Sequence, residues 1–356
     1  MILNLGLARF NIQTDGLLNH CYAKKRSQMN TATLKWLIRC LGASCALQAL
    51  VLVGELQAQD FTYTNTNGTI TITGYTGPGG DVVIPGTIDG LPVTSIGDGA
   101  LSFINNLSDR SNLTGLSNMT SVTIPDGVTN LGEGAFAGCP NLATITIGKG
   151  ITSIKGGAET SSWGTFQWCS SLTRVTIPDN VTNIGDGVGT RGGPFGAFSG
   201  CDSLTNFIVG KGLAYLGDGT FTYSTNLLSV YFQGNAPAFG ASDYPAPTSP
   251  FFNASNAVVY YLPGTSGWGP SYAGRPAVLW NPQVQTTDGS FGVRQNQFGF
   301  NVAGTPDIPL VIEASAALPA ASWIPLHTCT LTNGLLYFSD PQWTNYSSRF
   351  YRIRSP

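Results

Sequence analysis

The stretch Leu172-Thr173-Arg174-Val175-Thr176-Ile177-Pro178-Asp179-Asn180-Val181-Thr182-Asn183-Ile184 decides the fold. Val175 and Ile177 alternate about Thr176, so both fall on one face of a short strand and Thr176 on the other. Pro178-Asp179-Asn180 then ends the strand, because proline removes a ladder donor and Asp and Asn favour turns. A second apolar pair, Val181 and Ile184, follows that turn.

The same spacing returns on both sides of this stretch. Apolar steps of three, two, four, three, five, three and three run through Met119, Val122, Ile124, Val128, Leu131, Phe136 and Cys139 to Leu142. From Leu142 the next copy passes Ile145, Ile147, Ile151, Ile154, Phe166 and Cys169. The quoted stretch opens the third copy, which ends at Phe198 and Cys201. A fourth holds Leu204, Phe207, Val209, Leu213, Leu216 and Phe221, with Ser224 in the cysteine slot. A fifth begins at Leu227, Val230 and Phe232, and an irregular early copy holds Val82, Ile84, Val93, Ile96 and Leu101. Ile124 to Ile147 and Val209 to Phe232 each span 23 residues, the uninterrupted period. Gly97-Asp98-Gly99, Gly132-Glu133-Gly134 and Gly217-Asp218-Gly219 turn the chain at one corner of the coil. One such coil cannot bury its own apolar face, whereas stacked coils bury a continuous column.

These residues resemble the BspA-like leucine-rich-repeat family of bacterial surface proteins. The matching signature is Leu-x-x-Val-x-Ile-Pro-x-x-Val-x-x-Ile-Gly-x-x-Ala-Phe-x-x-Cys, clearest over Leu172 to Ile184 and again at Leu131-Gly132-Glu133-Gly134-Ala135-Phe136, and it covers residues 82 to 235. Phe232-Gln233-Gly234-Asn235-Ala236-Pro237 and the segment from Val259 to Trp268 are similar to the exits of such arrays. The resemblance implies a curved solenoid used for attachment to proteins, cells or polysaccharides. It brings no shared catalytic residues.

The fold class expected is mainly β: a leucine-rich-repeat solenoid of 23-residue coils over 82–282 with its C-terminal cap, then a small β-sandwich-like domain over 283–356. Phe61-Thr62-Tyr63 and Thr69-Ile70-Thr71-Ile72 alternate like a hairpin, which makes 59–81 an N-terminal cap. Trp268 and Trp280 are expected to close the far end. Residues 283–356 lose the period and show strands at Phe298 to Val302, Leu310 to Glu313 and Phe350 to Arg354.

Residues 1–58 read as a leader. Met29 is the expected start, Lys35 and Arg39 form the positive region, Leu41 to Val53 the apolar run, and Ala58 the small residue at the cut. That run is too short for a membrane span, so no span is expected after cleavage, and the protein is expected to be secreted or held at the cell surface. Charged residues are only 10% of the 356, with 17 basic against 19 acidic side chains, so nucleic acid is excluded as a partner. With 42% hydrophobic residues the chain is not disordered.

The chemistry-bearing residues are sparse. His327 is alone beyond the leader, without a nucleophile elbow around it, so neither a catalytic triad nor a histidine zinc site is expected. Cys139, Cys169 and Cys201 share one slot with Phe136, Phe166, Phe198 and Phe221 nearby, and are read as stacked buried thiols. Asp98, Glu133, Asp186 and Asp218 recur at the corner and are read as turn residues, one per coil being too few oxygens for calcium. No metal and no cofactor is expected. The alternative is a carbohydrate-active enzyme on a parallel β-helix, which needs a carboxylate cluster facing a groove.

Two copies depart from the template at the same corner. The step from Ile154 to Phe166 is twelve and that from Ile184 to Phe198 fourteen, instead of five. The insertions carry Trp163, Arg191 and Phe195, with Trp168 just beyond the first, and aromatics with arginine make good contact anchors. These four are the expected ligand-binding residues, for an extracellular protein or polysaccharide. The leader generates the first test. N-terminal sequencing of material recovered outside the cell should begin at Gln59 or within a few residues, and an intact cytosolic chain would refute the leader.

Overall fold

Asn67 and Gly68 both take positive φ, 52° and 80°, and the strands on either side, Phe61–Thr66 and Thr69–Tyr75, pair antiparallel across them. Asn-Gly suits such a two-residue turn because both central residues must be left-handed. The second strand then pairs parallel with Leu91–Ile96, burying Ile70 and Ile72 completely. The hairpin thus covers the first apolar edge of the array. In this computed structural model the described residues are 60–104, 113–157, 163–185, 188–189, 193–194, 196–240, 249–319 and 322–355, all within the unit Gln57–Pro356. The leader, Asp186, Arg191 and Phe195 lie outside the described residues.

Each coil contributes to three ladders. The Val-x-Ile segments form parallel sheets, Gly80–Val83 with Met119–Thr123 and Thr144–Thr146, and Arg174–Ile177 with Asn206–Val209, Ser229–Phe232, Val258–Tyr261 and Arg275–Leu279. The second apolar pair gives two-residue strands at Ser153–Ile154, Asn183–Ile184, Tyr215–Leu216 and Ala238–Phe239, again parallel. The third ladder runs through the phenylalanine corner. There Phe136 N–H donates to Thr165 (2.9 Å), Phe166 to Ala197 (2.9 Å), Phe198 to Thr220 (3.0 Å) and Phe221 to Pro250 (2.8 Å). Register therefore puts like slots on like slots: Val175 lies beside Phe207, then Val230, then Val259.

The core is the sum of these columns. Phe136, Phe166, Phe198, Phe221 and Phe251 are buried and stack ring on ring, with centroids 5.2, 5.3, 6.4 and 5.3 Å apart. Turn polar groups tie neighbouring coils together. Asp98, Asp126, Asp179 and Asn235 each accept the backbone N–H of a residue one coil on, at Glu133, Lys149, Lys211 and Ser266, over 2.7–2.9 Å. Gly148 and Gly210 sit where a Cβ would overlap Pro125 and Pro178 of the coil before, so these turns close only on glycine.

The far end differs from the expectation in one respect. Trp268 does pack on the last coils, 5.1 Å from both Phe232 and Tyr261. Trp280 does not: alternation along Ala277-Val278-Leu279-Trp280 turns it to the outward side of the sheet. It meets Tyr231 edge-on there and donates its indole N–H to Pro309 (2.9 Å). On that outward side Thr146 and Thr176 are exposed, but the same row continues as Ile208, Tyr231 and Tyr260, all buried. What covers them is the segment after 282.

That segment forms two antiparallel sheets. One joins Gln283–Gln285, Gly292–Arg294, Gln297–Ala303 and Leu335–Asp340; the other joins Pro309–Ser315 with Ile324–Thr330 and Phe350–Arg354. Their apolar residues, among them Phe300, Val302, Leu310, Ile312 and Phe338, form one cluster with Ile208, Tyr231 and Tyr260. Buried Glu313 is held by Arg352 (2.7 Å) and Arg354 (2.6 Å), so this carboxylate is paired within the sheet. The phenylalanine column supplies the second test. Phe198→Ala should lose about 3–5 kcal/mol in denaturant melts, the usual cost of emptying a buried aromatic site. A loss near zero would show that the column does not carry the core.

Candidate functional site

The corner after each phenylalanine imposes one unusual backbone conformation. Two residues beyond the phenylalanine slot stand Gly138, Trp168, Gly200, Tyr223 and Asn253, with φ of 72°, 58°, 69°, 62° and 57°. The same residues belong to the ladder: Gly138 N–H donates to Gln167 (2.7 Å), Trp168 to Ser199 (2.8 Å) and Gly200 to Thr222 (2.7 Å). Glycine adopts this region freely and asparagine tolerates it, but a Cβ-bearing bulky residue there is strained. Trp168 and Tyr223 occupy it nonetheless, and both stay in contact with solvent, 41% and 44% exposed.

Trp168 lies over the next coil, where a Cβ on Gly200 would overlap its indole. Trp163, half-buried, meets Trp168 at 5.1 Å and 48°. Its own Cβ sits close above Gly134 of the preceding coil. The structure therefore brings together two of the four sequence-predicted contact residues. Around them the insertions leave neighbouring coils side by side: a Cβ on Gly164 would overlap the Gly196 carbonyl, and within the second insertion Val188–Gly189 pairs antiparallel with Gly193–Pro194.

Sequence reasoning missed Tyr223. Its signal was present, since Trp168 and Tyr223 alternate with Gly138 and Gly200 in a slot that the template left blank. It also missed a third lengthened step, from Phe239 to Phe251, at this corner. Beyond Tyr223 the row opens into a cavity of about 440 Å³, lined by Tyr223, Thr225, Phe252, Asn253, Ser255 and Arg275 among others. Arg275 there donates to the Ser255 carbonyl (2.6 Å).

The cysteine slot has a defined task. Sγ of Cys139, Cys169 and Cys201 lies 3.1, 3.3 and 3.3 Å from the carbonyls of Leu101, Phe136 and Phe166, one coil back in each case. Ser224 makes the same bond to Phe198 (2.9 Å), which is why the slot accepts a hydroxyl. All three thiols are buried and unpaired. Burial pushes Cys139 and Cys201 up to about 12, and burial with its two neighbouring thiols raises Cys169 well above its ordinary value, so the thiols stay protonated. Among the described residues no group of three or more His, Cys, Asp or Glu is placed to hold a metal ion, and His327 lies exposed on an edge strand. No helix among them is long and apolar enough to cross a membrane.

Residues 109–242 match the family described as the BspA type leucine rich repeat region, in six copies. No curated protein matches the chain. Among solved structures, the chain is similar to a leucine rich repeat protein of T. pallidum, at 27% identity over 53% of this chain and 89% of that one, with a TM-score of 0.35. It is similar to a leucine rich cell surface protein of Faecalibacterium prausnitzii, at 23% identity over 60% of this chain and 55% of that one, with a TM-score of 0.39. A leucine-rich repeat protein of Bacteroides ovatus aligns at 22% identity over 62% and 75% of the two chains, with a TM-score of 0.27. The buried thiols supply the third test. Cys139, Cys169 and Cys201 should resist a thiol reagent in the native protein even in mildly alkaline buffer, and react on unfolding. Rapid native labelling, or a disulfide among them by mass spectrometry, would contradict the stacked arrangement.

Proposed function

We propose, from the premise that residues 109–242 are a BspA-type leucine-rich-repeat region, that the chain is a secreted or cell-surface binding and adhesion protein. The ligand is an extracellular protein or polysaccharide, taken at the corner that carries the insertions. Trp163 and Trp168 are its contact residues, joined by Arg191 and Phe195 of the second insertion. The segment 283–356 is a β-sandwich-like domain that serves the same molecule from the outward side of the solenoid.

The observation that carries this reading is Trp168. Trp168 is held at positive φ, where glycine fits without strain, and is 41% exposed, so it is strained without being buried, which points to a partner. Trp163 beside it enlarges the flat apolar surface, and tryptophan supplies large contact area at small cost in side-chain entropy. The corner and turn carboxylates support binding over hydrolysis. Asp98, Asp126 and Asp179 each accept a backbone N–H, so they serve the coil rather than a groove.

The fourth test is a paired substitution. Trp163→Ala with Arg191→Ala should weaken binding to the ligand found on an array of extracellular proteins and polysaccharides by about tenfold or more, the scale of losing one anchor. The melting temperature should move by no more than a few degrees. Undiminished binding would remove this corner as the site. A much earlier melt would instead make Trp163 a plug for the core.

A further inference from the structure

We propose that Trp168 and Tyr223 form two platforms of one ledge that binds an extended, uncharged polysaccharide lying along the stacking axis. This rests on the reading of the insertion corner as a binding surface and names its ligand class. The ledge extends that surface to a residue outside it, Tyr223.

The first ground is the slot itself. In the five coils that carry phenylalanine at the corner the backbone is left-handed at this position, and it takes glycine at Gly138 and Gly200 and asparagine at Asn253. Two coils carry the bulky aromatics Trp168 and Tyr223 instead, at positive φ, with much of each side chain facing solvent. Neither is among the buried residues of the core. A bulky aromatic in a strained slot that glycine fills elsewhere gains only part of its burial from its neighbours, which leaves its open face for a ligand.

The second ground is spacing. The coils of Trp168, Gly200 and Tyr223 are consecutive, joined by the bonds from Trp168 N–H to Ser199 and from Gly200 N–H to Thr222. Hydrogen-bonded strands lie about 4.8 Å apart, so the two aromatic positions are about 10 Å apart along the axis. That is close to the length of a disaccharide in an extended chain. A site that repeats with the coil fits a ligand that repeats along its own length, which a folded protein surface does not. The flat face of an aromatic ring matches the C–H face of a pyranose, burying apolar area while the sugar hydroxyls keep their polar partners.

The third ground is charge. Beyond Tyr223 the ledge enters the cavity of about 440 Å³, whose lining offers Thr225, Ser249, Asn253 and Ser255 as hydroxyl and amide partners. Arg275 is the one charged residue of that lining; it donates to the Ser255 carbonyl and keeps its positive charge. Four hydroxyl and amide groups against a single guanidinium make hydroxyl-rich, neutral chains the expected ligand, with an acidic glycan as the competing outcome.

The test uses the slot's own alternative residue. Trp168→Gly with Tyr223→Gly places in both coils what Gly138 and Gly200 already are, so the backbone is not strained by the change. The whole protein is run in native gels containing xylan, glucomannan or hydroxyethylcellulose, and is mixed with cellulose and chitin, with polygalacturonate as the acidic control. Retardation or capture by at least one neutral glycan is expected for the parent. The double variant should lose about tenfold or more of that affinity, the effect of removing two stacking anchors. Its melting temperature should be unchanged or higher. The proposal fails if no neutral polysaccharide retards or captures the parent, if polygalacturonate alone does so, if the double variant binds as well as the parent, or if it melts markedly earlier. A protein ligand lost in the Trp163→Ala, Arg191→Ala variant, with no glycan bound by the parent, overturns the glycan ledge and leaves the corner a binding surface.

Discussion

The hydrogen bond from a backbone N–H to the matching carbonyl one coil away governs this molecule. It fixes the register of the Val-x-Ile strands, sets phenylalanine upon phenylalanine, and ties down the residue two beyond them at the corner. Side chains then have little freedom: a slot is inward, outward or cornering in every coil at once. Stability is shared between neighbours, as in any stacked array, and a weak coil is held by the two that flank it.

Inward slots were legible in the sequence because they repeat the same chemistry. Phe136, Phe166, Phe198 and Phe221, or Val122, Ile145 and Val175, are apolar whatever else their coils do. Thr176, Ile208 and Tyr231 occupy one outward row, and they change from polar to apolar where later strands cover them. A template built on recurring apolar slots discards that row. It therefore gave no warning that the segment after 282 shares a core with the solenoid, or that Trp280 faces it. The signal lay in the exceptions, since an outward tyrosine in a threonine row marks a covered face.

The candidate site was half legible for the same reason. Lengthened steps announce loops, and the loops drew attention to Trp163 and Trp168. Tyr223 sits in a coil of regular length, so no insertion pointed to it. Only the backbone angle it shares with Trp168 connects the two. The cysteine slot was read as small and apolar. Its sulfur-to-carbonyl bond, and the hydroxyl of Ser224 doing the same task, show that it is also a donor position.

The shared core at the far end also has a history written into it. Ile208, Tyr231 and Tyr260 come together only after three coils have stacked, because they stand on three separate strands. Phe300, Leu310 and Ile312 have no such surface to meet until then. The segment that supplies them follows these coils in sequence. The far sheets can therefore bury their apolar face only against coils that are already stacked, so their stability is tied to that of the array.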